Sequence, residues 1–231
     1  MTALALGVGA LFGLIGAGAE RLASVWPPDE PSKRSPGWRT ALMALASAAA
    51  GWAIAARSTL PWWATAAHLL ILSMLVVLAA TDLEQRRLPH VLLDPLIVIA
   101  LAFVFFNPTV EELDAVIGAV AAIGFLGVLG LVVRSGVAMG DLYLVAPLGM
   151  LLGWPAIFLA IFLAALISSV TSIGLLVSRR VGLKSYIPFG PFLVAGAVLT
   201  LIRDEELLGR FGDGAATVVG WLAMRLTSGP P

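Results

Sequence analysis

Residues 142–178 read LYLVAPLGMLLGWPAIFLAIFLAALISSVTSIGLLVS, 37 positions without one charged side chain. As a single helix that stretch would reach about 55 Å, nearly twice the ~30 Å hydrocarbon core of a bilayer. Gly153-Trp154-Pro155 lies near its middle. Proline breaks a helical ladder because it lacks an N–H and its ring crowds the preceding turn. The stretch therefore reads as two membrane helices joined by a tight turn. That reading sets the fold class as all-α, a polytopic membrane helix bundle.

The same reasoning extends outward along the chain. Uncharged stretches at about 40–56, from Pro61 to about Thr81, 91–106, 113–133 and 187–202 read as further helices. Residues 1–19 are also apolar and end in Ala17-Gly18-Ala19, which resembles a signal-peptidase site. No Lys or Arg precedes that run, as a signal peptide would require, so it reads as a first membrane helix. The expectation is eight helices forming one transmembrane domain over residues 1–231. Residues 204–231 are charged at their start, then Gly-rich, and read as a surface or partly buried segment. Composition agrees: the chain is 60% hydrophobic and 12% charged, with mean hydropathy +1.00, which places it in a lipid bilayer.

A net charge of +0 offers nothing to a nucleic acid, so no such partner is expected. The absence of cysteine excludes disulfides, thiolate catalysis and Cys-ligated zinc. The two histidines, His68 and His90, are too far apart in sequence to mark a metal cluster. Neither a metal nor a cofactor is expected.

Basic residues orient the bundle. With eight helices, alternate connections share a face. One face takes Arg21, Lys33, Arg34, Arg39, Arg86, Arg87, Arg134, Arg179, Arg180 and Lys184; the other takes Arg57, Arg203, Arg210 and Arg225. Positive residues gather on the cytoplasmic side, so the first face is cytoplasmic and the protein is a multi-pass protein of the cell (inner or cytoplasmic) membrane. The connections at 23–38, 83–90, 134–140 and 179–186 then face the cytoplasm.

Two aspartates stand at the rims of apolar stretches on that face. Asp82 lies in Thr81-Asp82-Leu83-Glu84-Gln85-Arg86-Arg87-Leu88-Pro89, and Asp141 follows Ala138-Met139-Gly140. An ionisable group at the rim of a span is costly and is a functional candidate. Each also has a plainer reading: Asp141 as a cap on a helix start, favoured by the helix dipole, and Asp82 as a polar residue ending a helix. Asp94, one turn into the fourth helix and followed by Pro95, cannot cheaply face lipid. It either lines an aqueous cavity beside Asp82 or accepts a helix hydrogen bond. His68, about 21 Å along the helix from Asp82, reads as a hydrogen-bonded packing residue. The glycines at 7, 9, 13 and 16, and those within 118–130, read as close helix packing.

The ordered set Thr81-Asp82, Leu88-Pro89, Met139-Gly140-Asp141, Leu148-Gly149, Leu152-Gly153-Trp154 and Ile187-Pro188-Phe189-Gly190-Pro191-Phe192-Leu193 resembles the type IV prepilin peptidase family, membrane aspartic proteases of the GxGD type. The resemblance runs from the first helix to the eighth. It implies that Asp82 and Asp141 are the catalytic pair, with Gly140, Pro89, Pro188, Phe189, Gly190 and Pro191 supporting the site. Beside them, Glu84 either meets a basic leader or belongs to a solvated loop, and Asp94 is a further candidate for site support. It also implies prepilin-like substrates, whose short basic leader is cut at the cytoplasmic face. The chemistry implied is general acid–base hydrolysis with no covalent intermediate and no metal.

The chain departs from the family pattern at four of these positions. Ala138 replaces the first glycine of GxGD, Tyr143 stands where lysine is frequent, and His90 and Leu93 stand where polar residues are usual. Many bacterial members also carry a cytoplasmic domain between the first two helices, with paired CxxC zinc ligands, linked to methylation of the new N-terminus. Here that connection is about Ala23–Gly37, Pro-rich and without Cys, so methyl transfer is not assigned. Two other readings compete with the endopeptidase: a non-catalytic, prepilin-peptidase-like scaffold of a pilus or secretion system, and a small transporter relaying protons through its aspartates. The transporter reading lacks a visible inverted repeat.

Overall fold

Eight helices follow one another in the computed structural model: α1 (Thr2–Ala23), α2 (Trp38–Arg57), α3 (Trp62–Gln85), α4 (His90–Val104), α5 (Glu112–Val132), α6 (Met139–Leu152), α7 (Ala156–Val177) and α8 (Gly190–Ile202). The structure describes residues 2–26, 35–132, 138–179 and 187–202, with Thr217. The expectations for residues 204–231, and for the basic residues at 33, 34, 134, 180 and 184, fall outside them. No strand occurs among the described residues.

Five helices, α1, α2, α3, α5 and α7, are long and apolar enough to cross a membrane. The other three are apolar but short: α4 has 15 residues, α6 has 14 and α8 has 13 described. At 1.5 Å per residue they reach only about 20–23 Å. Sequence reasoning expected about eight spans, these three among them. The difference arises because α4 and α6 are trimmed at both ends by Pro89, the Phe105-Phe106 turn, Ala138 and Gly153. Gly153 sits at φ +69°, a left-handed conformation that glycine adopts without cost. It closes α6, and three residues later α7 begins.

The bundle is held by close helix approach. α1 packs along α2, and a Cβ added at Gly51 would stand 2.5 Å from Phe12 Cγ. One at Gly16 would stand 2.6 Å from the Met43 carbonyl oxygen. On α6, a Cβ at Gly149 would stand 2.5 Å from Ala119 Cα of α5. The small-residue reading thus holds at Gly9, Gly16 and Gly118. It does not hold at Gly7 or Gly124, which have open space where a side chain would go. Ile71, Leu75 and Leu78 of α3 are fully buried beside Leu93 and Leu96 of α4, Leu144 and Leu148 of α6, and Leu193 of α8. α3 is the central helix, touching α1, α2, α4 and α8. Its His68 is buried, bonded to the Ala64 carbonyl at 2.8 Å and set edge-on to Phe103.

The connections sort to two ends. At one end, Gln85 Nε2 donates to the Ala23 carbonyl (2.7 Å) and Arg39 meets Glu84 (3.1 Å). At the other, the Trp154 amide donates to the Asp114 carbonyl (2.9 Å), and Asn107 Nδ2 donates to the Leu151 carbonyl (3.3 Å). Trp38 and Trp62 open α2 and α3 at opposite ends, both exposed, where interfacial aromatics belong in a membrane protein.

Candidate active site

A cavity of about 290 Å³ opens at the first of these ends, lined by residues of α3, α4, α6 and the turns that lead into them. Asp82 and Asp141 both line it. Both are buried, at 6% and 2% exposure. Two carboxyls in one recess are the arrangement acid–base hydrolysis requires.

Asp82 does not end α3, as its polar neighbours suggested. Leu83, Glu84 and Gln85 continue the helix, and Arg86 terminates it in the left-handed conformation (φ 54°), its N–H bonded to the Asp82 carbonyl at 2.8 Å. Asp82 therefore lies one turn inside the helix. Its Oδ2 is turned toward Gly190, the first residue of α8; a Cβ there would stand 2.5 Å from that oxygen. Oδ2 has no hydrogen-bond partner among the described residues. A buried, unpartnered carboxyl oxygen is expensive in a purely structural role.

Asp141 occupies the third position of α6. Its Oδ2 accepts the Ala138 amide at 3.3 Å, so the capping reading from sequence describes part of what this residue does. One cap bond leaves a carboxylate with further acceptor capacity. Ala138 itself has φ −77° and ψ 149°, extended backbone that any residue adopts, so alanine is accommodated there without strain. Gly140 keeps the cavity floor tight: a Cβ on it would come within 3.1 Å of Leu88 Cδ1.

The remaining expected residues divide. Pro89 caps the start of α4, beside the cavity-lining Leu88 and His90. Of the run at 188–191, Gly190 approaches Asp82. Pro188, Phe189 and Pro191 carry the chain into α8 and are not among the cavity-lining residues. Pro191 sits in the first turn, where a missing N–H costs nothing. Glu84 points away from the cavity and pairs with Arg39 of α2. Of the two positions that the sequence left open for Asp94, it takes the hydrogen bond within its own helix. It is exposed, does not line the cavity, and pairs with the Nδ1 of His90 at 3.2 Å.

The four departures from the family pattern, Ala138, Tyr143, His90 and Leu93, all line the cavity. The His90 and Tyr143 rings meet edge-on with centroids 5.4 Å apart, joining α4 to α6 at the rim. Arg86 and Arg87, which follow Asp82 closely in the sequence, line the cavity as well. Among the described residues no three His, Asp or Glu side chains gather as a metal site would need.

Comparison with known proteins places this geometry. The model described as the type IV leader peptidase family matches residues 69–173, a segment that contains both aspartates. The chain belongs to the type IV leader peptidase family. It is 35% identical over 161 residues to a prepilin leader peptidase/N-methyltransferase of Aeromonas salmonicida, covering 67% of this chain and 55% of that protein. It is 36% identical over 154 residues to one of Aeromonas hydrophila, covering 64% and 52%. The corresponding Bacillus subtilis (strain 168) protein is 26% identical over 137 residues, covering 59% and 55%. The chain spans about half the length of the curated relatives it matches. No solved structure matches it. Family membership and the all-helical bundle agree with the sequence reading.

Proposed function

We propose that this protein is a membrane aspartic endopeptidase that removes the basic leader from prepilin-like precursors at the cytoplasmic membrane face, with Asp82 and Asp141 as the catalytic pair. One observation carries the reading: two aspartates 59 positions apart in sequence are buried in the same cavity. The relatives' printed names support the substrate class.

Two adjacent carboxyls do not both ionise cheaply, so the working pair shares one proton. The ionised carboxyl takes a proton from a water as that water attacks the scissile carbonyl carbon. The protonated carboxyl donates to the carbonyl oxygen as it gains charge. When the C–N bond breaks, the proton taken from water passes to the leaving amine, and as C=O re-forms one hydroxyl proton of the tetrahedral intermediate returns to the carboxyl that had donated its own. Every atom in this cycle comes from the peptide, one water and the two side chains. The short α6 supports a site set below the membrane surface. It is eight residues shorter than the α7 that follows it, so its first turn stops about 12 Å short of the far end of α7.

The test is direct. Purified protein in lipid is incubated with a precursor peptide carrying a basic leader and about 20 apolar residues, and the products are weighed by mass spectrometry. The expected cut falls at the junction of leader and apolar segment. An intact precursor, despite folded enzyme, would favour the non-catalytic scaffold.

A further inference from the structure

Arg39 reaches across from α2 to the end of α3. Its NH1 lies 3.1 Å from Glu84 Oε2, and its NH2 donates to the Leu83 carbonyl at 3.3 Å. These are the two residues that follow Asp82. The Glu84 side chain is 5% exposed, so this pair is not a fully solvated surface contact. A guanidinium presents several donors in one rigid plane, and here two of them hold two adjacent residues. The Leu83 carbonyl is one of the last four of its helix, which lack intrahelical partners.

Successive residues turn about 100° around a helix. Glu84 therefore projects about 200° from Asp82, on the opposite side of α3. Pulling Glu84 toward α2 fixes the rotation of that last turn, and the same rotation aims Asp82 at Gly190 and α6. A second tether acts with it: Gln85 Nε2 donates to the Ala23 carbonyl of α1 at 2.7 Å. The start of α2 is itself anchored, through Thr40 Oγ1 donating to the buried Glu20 of α1 at 2.7 Å.

We propose that Arg39 is a positioning residue for the aspartate pair: by holding Leu83 and Glu84 it sets the direction of Asp82, and so ties the hairpin of α1 and α2 to catalysis. Neither α1 nor α2 lines the cavity, yet both govern it through this contact. The inference rests on the endopeptidase reading for its kinetic consequence, though not for its geometry.

Arg39→Gln is compared with wild type for kcat, KM and thermal unfolding in lipid, and for reaction of Asp82 and Asp141 with dicyclohexylcarbodiimide mapped by mass spectrometry. A misaimed carboxyl lowers kcat by about ten- to a hundredfold with KM little changed, and shifts labelling of Asp82 relative to Asp141. Arg39→Lys keeps the charge without the fork and recovers part of the rate. Arg39→Glu is deficient, and adding Glu84→Arg restores the ion pair without the Leu83 contact and recovers part of kcat. Unchanged kcat and labelling in Arg39→Gln would overturn the proposal. So would a loss that tracks unfolding alone and is not restored by the charge exchange. If wild type cleaves nothing, the endopeptidase reading fails, and the labelling ratio still decides whether Arg39 aims Asp82.

Discussion

A methyl group placed on Gly190 would stand 2.5 Å from Asp82 Oδ2. No real side chain tolerates that approach, so the absence of a Cβ at the start of α8 is what lets the Asp82 carboxyl lie flat against another helix. Gly190→Ala must push the carboxyl back toward the cavity or push α8 away. Because a shift of about 1 Å at a reacting group costs about a hundredfold, cleavage should fall by roughly that factor. Bundle stability should fall by no more than the ~1–3 kcal/mol typical of overpacking. Parallel measurement of kcat and of thermal unfolding separates the two effects. Full activity in Gly190→Ala would mean that Asp82 works from a different position.

The pair itself is tested by Asp82→Asn and Asp141→Asn. Asparagine keeps volume and hydrogen-bonding capacity but cannot exchange the proton. Each variant should lose at least the ~10²–10⁴-fold attributable to general acid–base catalysis while remaining folded. Asp94→Asn should do much less, because Asp94 is exposed and bonded only to His90 in the described contacts. Complete leader cleavage by both single variants at Asp82 and Asp141 would leave the scaffold reading standing.

How much of this was legible in the sequence depends on the range of the force involved. The turn at Gly153-Trp154-Pro155 and the starts of α2, α3 and α4 are local consequences of proline, glycine and the edges of apolar runs, and they fell within two or three residues of expectation. The bounds of α4 and α6 also followed their uncharged runs to within about three residues: about 91–106 was expected for α4, which spans 90–104, and α6 begins at Met139 and ends at the expected turn. Asp82 lies inside α3 because Arg86 takes a left-handed conformation, which arginine does not announce. Arg39 and Glu84 are 45 positions apart, and only the packing of α2 on α3 pairs them. Ala138, Tyr143, His90 and Leu93 appeared as four separate departures, yet α4, α6 and the residue that precedes α6 bring them to one cavity.

Ala138 offers a sharper check on those departures. Its backbone is extended, so it needs no glycine freedom, and it lines the cavity. Ala138→Gly should therefore change kcat by no more than about twofold, since replacements away from strained or buried features usually shift free energies by only ~0.5 kcal/mol. A large gain in rate would show that the methyl group obstructs substrate.

Membrane orientation is the remaining expectation that can be read directly. Ser35 precedes α2 and Ser178 follows α7, both at the end that carries Asp82, whereas Thr109 lies at the opposite end, bonded to Asn107. The bias of basic residues assigns the first end to the cytoplasm. Single cysteines can be introduced cleanly because the chain has none of its own. In intact cells, a cysteine at Thr109 should react with a membrane-impermeant thiol reagent, and cysteines at Ser35 and Ser178 should react only after the membrane is opened. The reverse pattern would turn the cavity outward. Leader removal at the cytoplasmic face would then be ruled out, whatever the purified enzyme does to a peptide in solution.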